Sequence, residues 1–277
     1  MRWQGGRRSG NVQDRRGKGG LIAGGGIGAV VLTVIALMLG VDPGEIAMTG
    51  GGPAADVESS APGAFTGTDE DADRISVVLA DTEDTWNTIF AENGMTYSEP
   101  ELVLFDNAVS SACGMAGSAV GPFYCPADQQ LYIDLSFFRE LDERFGAPGD
   151  FAEAYVVAHE VGHHVQTLLG VSDEIRGRQA RASQTESNAL QVQMELQADC
   201  LAGVWAYHAQ AERGLLEPGD IEEALGAAAA IGDDRLQREA QGQVRPESFT
   251  HGTSAQRVRA FQTGYANGQP SSCDLAR

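Results

Sequence analysis

The residues whose types and spacing could do chemistry are His159-Glu160-Val161-Gly162-His163. On a helix the two histidines fall one turn apart on one face, so both imidazoles can hold the same cation. Glu160 lies about 100° round the cylinder, near enough to take a proton from water at that ion without being a ligand. A catalytic zinc needs a third protein donor. Glu195 and Asp199 stand one turn apart in a second helical stretch, Glu186 to Ala209. Glu195 is expected as the third ligand. Asp199 is expected to fix a ligand histidine through its other ring nitrogen. Such a set performs hydrolysis by activated water.

Two helices must carry these groups. Asp150 with Glu153, after Pro148-Gly149, reads as a capping box, and Gly170 offers a left-handed stop beyond Leu169. Val157, Val161, Val165 and Leu168 form the buried stripe. Gly162 is costly inside a helix, which a close approach by another element would explain. A loop then lets the Glu195 helix return antiparallel. Upstream, Ile75, Val78, Leu79, Trp86, Ile89 and Phe90 mark a helix from about Asp69 to Glu92, with Thr68 as its cap. Glu101 to Phe105 reads as a strand. Gly121 to Cys125 and Gln130 to Leu135 flank a turn at Pro126-Ala-Asp-Gln, and Ser136 caps a short helix to Phe145. Further helices run over Ile221 to Ile231 and from Thr253, with Gln256 completing a capping box. A strand before the metal helix could offer its edge to an extended peptide.

His-Glu-x-x-His followed by Glu-x-x-x-Asp resembles the gluzincin branch of zinc metallopeptidases. The strings Cys113-Gly, Gly121-Pro-Phe-Tyr-Cys125-Pro, Leu131 to Phe138, His159 to Gln166, Glu195 to Cys200 and Phe249 to Arg257 resemble a bacterial family of neutral zinc metallopeptidases. The resemblance covers roughly residues 70 to 273. It implies a zinc peptidase of mainly helical, zincin-like α+β fold with a small sheet, and little about substrate beyond peptide or protein.

The chain has 277 residues, 19 Lys and Arg against 39 Asp and Glu, and net charge −20. Such an acidic surface argues against nucleic acid as a partner. Six of the basic residues fall in residues 1–20, just before the uncharged run Leu21 to Gly40. That run is long enough to span a bilayer, with the basic side cytoplasmic. The expected order is therefore a cytoplasmic segment 1–20, a transmembrane helix 21–40, a flexible linker 41–67, and an extracytoplasmic catalytic domain 68–277. A cleaved signal peptide is the competing reading, disfavoured by the length of the run.

Cys113, Cys125, Cys200 and Cys273 could be zinc ligands, free thiols or two disulfides. An oxidising location and the lack of any Cys-x-x-Cys favour disulfides, with Cys113–Cys125 and Cys200–Cys273 preferred among three pairings. His164 faces away from the metal side and reads as a packing group, as does Tyr155. His208 reads as a helix-end or surface residue. His251, in a loop just before a helix, is a candidate donor to a tetrahedral oxyanion, and equally a histidine serving its own turn. Two rivals remain: a tethered assembly factor with a structural zinc, and a zinc amidase acting on cell-wall bonds. Glu160 argues against the first, since a purely structural site has no use for a base.

Overall fold

The computed structural model describes residues 1–17, 63–64 and 69–273. Its strands are β1 (Val12–Asp14), β2 (Gly63–Ala64), β3 (Glu101–Phe105), β4 (Ala108–Ser111), β5 (Gly114–Gly117), β6 (Phe123–Cys125) and β7 (Gln130–Asp134). Its helices are α1 (Glu70–Glu92), α2 (Ser136–Glu143), α3 (Asp150–Leu168), α4 (Val171–Gln179), α5 (Gln184–Arg213), α6 (Asp220–Ala230), α7 (Asp233–Gln241) and α8 (Ser254–Asn267). The fold is α+β and mainly helical, as expected.

One sheet has the strand order β2-β1-β3-β7-β6. Its three inner strands are parallel, with Val12 opposite Leu102 and Leu102 opposite Leu131, while β2 and β6 pair antiparallel at the edges. Alternation along the strands gives each face its own core. Leu102, Leu104, Leu131 and Ile133 join the main cluster with α1, α3 and α5. Val103, Phe105 and Tyr132 join a second one, to which the β4–β5 hairpin contributes Val109 and Ala116. The expected hairpin around Pro126 is β6–β7; β4–β5 has no apolar alternation to announce it. Both preferred disulfides are present, Cys113–Cys125 at the hairpin and Cys200–Cys273 fastening the tail to α5.

Small residues let the site helices touch backbone to backbone. A Cβ on Gly162 would stand 2.9 Å from the Ala198 carbonyl oxygen, so the close approach that this glycine called for is made by α5. On the other side of α5, Gly203 and Gly264 admit α8: a Cβ on Gly264 would fall 1.9 Å from the Cys200 carbonyl oxygen.

Residues 1–17 depart most from expectation. They do not stand apart from the domain. Strand β1 lies between β2 and β3, and Met1, Trp3 and Val12 are buried in the main core. The basic residues that suggested a membrane-facing segment instead answer the acidic helix α1: Arg7 bonds Glu83 and Asp84, Arg8 bonds Asp73, and Arg16 bonds Asp69. The linker expected at 41–67 contributes β2; its other residues, the span expected at 21–40 and the cap expected at Thr68 lie outside the described residues. Asp69 caps α1. Among the described residues, no helix is long and apolar enough to cross a membrane.

The expected caps of α2 and α3 do not form either. Gly149 precedes α3 with no side-chain bond, and Asp150, one residue inside the helix, accepts from the Met1 α-ammonium at 2.8 and 2.9 Å. Glu153 is taken by Arg74, and Leu135 stands at the cap position expected for Ser136. The Thr253–Gln256 capping box of α8 does form.

Candidate active site

Helices α3 and α5 bring His159, His163 and Glu195 together. One donor atom from each lies within 4.8 Å of the others. Glu195 Oε2 is 3.2 Å from His159 Nε2 and 3.6 Å from His163 Nε2. The two imidazole rings stand nearly perpendicular, 4.8 Å apart.

The surrounding bonds decide which ring nitrogens face this point. His159 Nδ1 lies 2.8 Å from Asp199 Oδ1, where the carboxylate can only accept, so Nδ1 carries the hydrogen. Gln166 Nε2 donates to the Met194 carbonyl and to Gln197, which turns its Oε1 toward His163 Nδ1 at 2.9 Å. That nitrogen therefore also carries its hydrogen. A cation at that point would take both Nε2 lone pairs in place of the contacts these nitrogens make with Glu195. Gln191 donates to Glu195 Oε1, leaving Oε2 on the same point. Two neutral imidazoles and a carboxylate with an open fourth direction fit a catalytic zinc.

Charge supports the fit. Burial would push the His159 ring down, but Asp199 and Glu195 lift it to about 10. Burial likewise opposes His163, and Glu195 raises it. Glu195, despite burial, is held well below the usual carboxylate range by the two histidines. The field that draws protons to these rings also draws a divalent cation. Burial shifts the Glu160 carboxyl the other way, upward, with the neighbouring histidines opposing.

Asp199 stands beside His159 Nδ1, and it is itself held. The guanidinium of Arg257, on α8, donates to it from Nε at 2.8 Å and from a terminal nitrogen at 2.9 Å, and also reaches the Tyr155 hydroxyl. Tyr155 donates to Asp199 at 2.5 Å, so it is a packed part of this network. Burial would raise Asp199; Arg257 and His159 bring it down to about 2. Sequence reasoning missed Arg257 as a site residue, because an arginine on an amphipathic helix reads as surface. The signal available was its place in the Phe249 to Arg257 string.

His251 reaches the cleft that holds His159, Glu160 and Glu195, with half its side chain exposed. Asp233 anchors it, accepting from the backbone N–H groups of Thr250, His251 and Gly252 and standing 3.2 Å from His251 Nδ1. Burial lowers the His251 ring's affinity for protons, but Asp233 and then Glu195 raise it above the ordinary value. His164 is fully buried between the Tyr124 hydroxyl and the Ser98 carbonyl, away from the metal face. His208 pairs with Glu212 and the Gly268 carbonyl. Strand β6 lies at the sheet edge, has β7 as its strand partner, and lines the cleft through Phe123 and Tyr124.

A helix pair that presents His, His and Glu to one point, with a buried carboxyl beside it, is an arrangement that suits a zinc-dependent hydrolase. The family model described as "Putative neutral zinc metallopeptidase" matches residues 1–276, and the chain belongs to that family. It is 48% identical to "Uncharacterized protein YpfJ" of Escherichia coli (strain K12) over 282 residues, covering 99% of this chain and 98% of that one. It is 44% identical over 253 residues to "Uncharacterized protein Rv2575" of Mycobacterium tuberculosis, covering 86% of this chain and 84% of that one. No solved structure matches.

Proposed function

We propose that the chain hydrolyses peptide bonds with a zinc ion held by His159, His163 and Glu195. The observation that carries this is the placement of Glu160, buried in the cleft next to the three-donor cluster, where a structural site would have no use for it. A zinc ion there supplies Lewis acidity toward water and the scissile carbonyl. Glu160 accepts the proton of the attacking water and returns it to the leaving amine nitrogen. His251, when doubly protonated, keeps Nδ1–H on Asp233 and offers Nε2–H to the oxyanion. Asp199, fixed by Arg257, holds the His159 ring in the tautomer that leaves Nε2 free. The β6 edge offers main-chain groups to an extended substrate. The two disulfides favour a domain outside the cytoplasm.

The test compares full-length wild type with Glu160→Gln and Glu195→Ala for metal content and for cleavage of a peptide library beside a cell-wall digest. Glu160→Gln keeps its zinc and loses hydrolysis; Glu195→Ala loses zinc. Loss of metal in Glu160→Gln, or full stoichiometry in Glu195→Ala, overturns the assignment. Release of cell-wall fragments without peptide cleavage makes the enzyme an amidase.

A further inference from the structure

The cleft extends well past the catalytic groups in both directions. Its floor is α3 from Tyr155 to Thr167, with His159, Glu160 and His163 in the middle of that stretch. At 1.5 Å per residue this floor is about 18 Å long. An extended peptide rises about 3.3 Å per residue, so about five residues fit along it beside β6. The volume is about 570 Å³, ample for side chains as well as backbone.

The two ends differ in chemistry. Where α3 begins, the walls are Phe137 and Phe145, at α2 and just beyond it, and Ile231 and Leu236, from the chain entering α7 and α7 itself, with the exposed Glu140–Arg144 pair beside them. All four are only partly buried, with apolar surface left toward the cleft. Arg235 donates to the Phe145 carbonyl at 2.8 Å, which locks the two walls of this end together. Where α3 ends, the lining is mixed and mostly polar, with Ser172, Arg176 and Gln179 of α4 beside the buried Ile175 and Met194.

We propose that the site takes an internal, extended stretch of polypeptide and selects it by a large apolar side chain, aromatic or branched, entering the Phe137–Phe145–Ile231–Leu236 end. This rests on the peptidase reading, to which it adds the substrate class. Both ends of the bound segment continue out of the cleft, so neither a free amine nor a free carboxylate is needed. The selected segments are those with an apolar residue in accessible extended chain, as in unfolded or loosely folded proteins.

The test reads binding, which does not depend on turnover. Fluorescent decapeptides, acetylated and amidated at their ends, are titrated into the full-length Glu160→Gln protein with a central Leu or Phe, and with Asp in its place. The apolar peptides bind roughly tenfold to a hundredfold more tightly. Leu236→Lys in that background weakens the Leu and Phe peptides by about tenfold and tightens the Asp peptide, a gain that a misfolded variant would not give. Equal binding of all peptides, a strict need for a free terminus, or an unchanged preference in Leu236→Lys overturns the proposal. If wild type cleaves none of the peptides while the apolar preference persists, the subsite stands and the peptidase reading falls. If wild type cleaves them without preference, the peptidase reading stands and the subsite falls.

Discussion

Deleting residues 1–17 separates this fold from a catalytic domain that begins near residue 68. Three core side chains go with the segment: Met1, Trp3 and Val12, which are 7%, 8% and 6% exposed. At about 1.5–3 kcal/mol for each large apolar side chain kept from water, the loss of all three amounts to roughly 4.5–9 kcal/mol. Glu83, only 1% exposed, also loses the Ser9 hydroxyl, the Asn11 amide and Arg7. The loss is comparable with the whole stability of an ordinary domain, about 5–15 kcal/mol. The assay is urea unfolding followed by circular dichroism, full chain against the chain lacking residues 1–17, with Trp3→Ala as a graded version costing about 3–5 kcal/mol. The truncated protein should show no cooperative transition in buffer. A truncated protein with the same midpoint and slope as the full chain would refute the reasoning.

Three more tests bear on the site and its setting. Arg257→Met leaves Asp199, which has no exposed surface, without its guanidinium; unfolding should be easier by about 3–5 kcal/mol and zinc should bind more weakly, and a change below about 1 kcal/mol would contradict this. His251 is raised above its ordinary 6.5 chiefly by Asp233 acting against burial, so its doubly protonated form persists above that pH. Activity that depends on it is present on the acid side and falls as pH rises through the raised value; His251→Gln should lower kcat and remove that alkaline limb from the pH profile. Residues 1–17 belong to the same folded unit as the active site, so both share one side of any membrane, against the arrangement with the N-terminal segment alone in the cytoplasm. Gly10→Cys and Glu92→Cys should react equally with a membrane-impermeant maleimide in intact cells, and protection of Gly10→Cys alone would restore the opposite arrangement.

What the sequence made legible was whatever had a period or a pairing logic. His159, His163, Glu195 and Asp199 were found because helical spacing alone sets them on two faces, and α5 needs only one return to bring those faces together. Gly162 was readable for the same reason: a costly residue at a fixed place implies a neighbour, here Ala198. The β1 strand was hidden because Val12 is its only large apolar residue, and its burial comes from strands on either side that no local pattern reveals. A basic stretch before an apolar run also has a ready membrane reading, and only the tertiary fold shows α1 as the partner of those arginines. Asp150 misled in a similar way, since a helix-start acid can serve its own backbone or a cation from far along the chain.

The position of β1 also sets the order in which this molecule can be completed. Val12 meets Leu102, the Arg2 amide meets the Leu215 carbonyl, and the Met1 ammonium meets Asp150 and lies close to Asp220. During synthesis β1 can pair once β3 has emerged, whereas the Met1 and Arg2 contacts wait for Asp150 and Leu215. A chain cut short before Leu215 would lack the Arg2 anchor and hold β1 less firmly over the β3 edge. The sheet's strands are all made by Asp134, but its first residues are fastened only by the half of the chain that carries the catalytic helices.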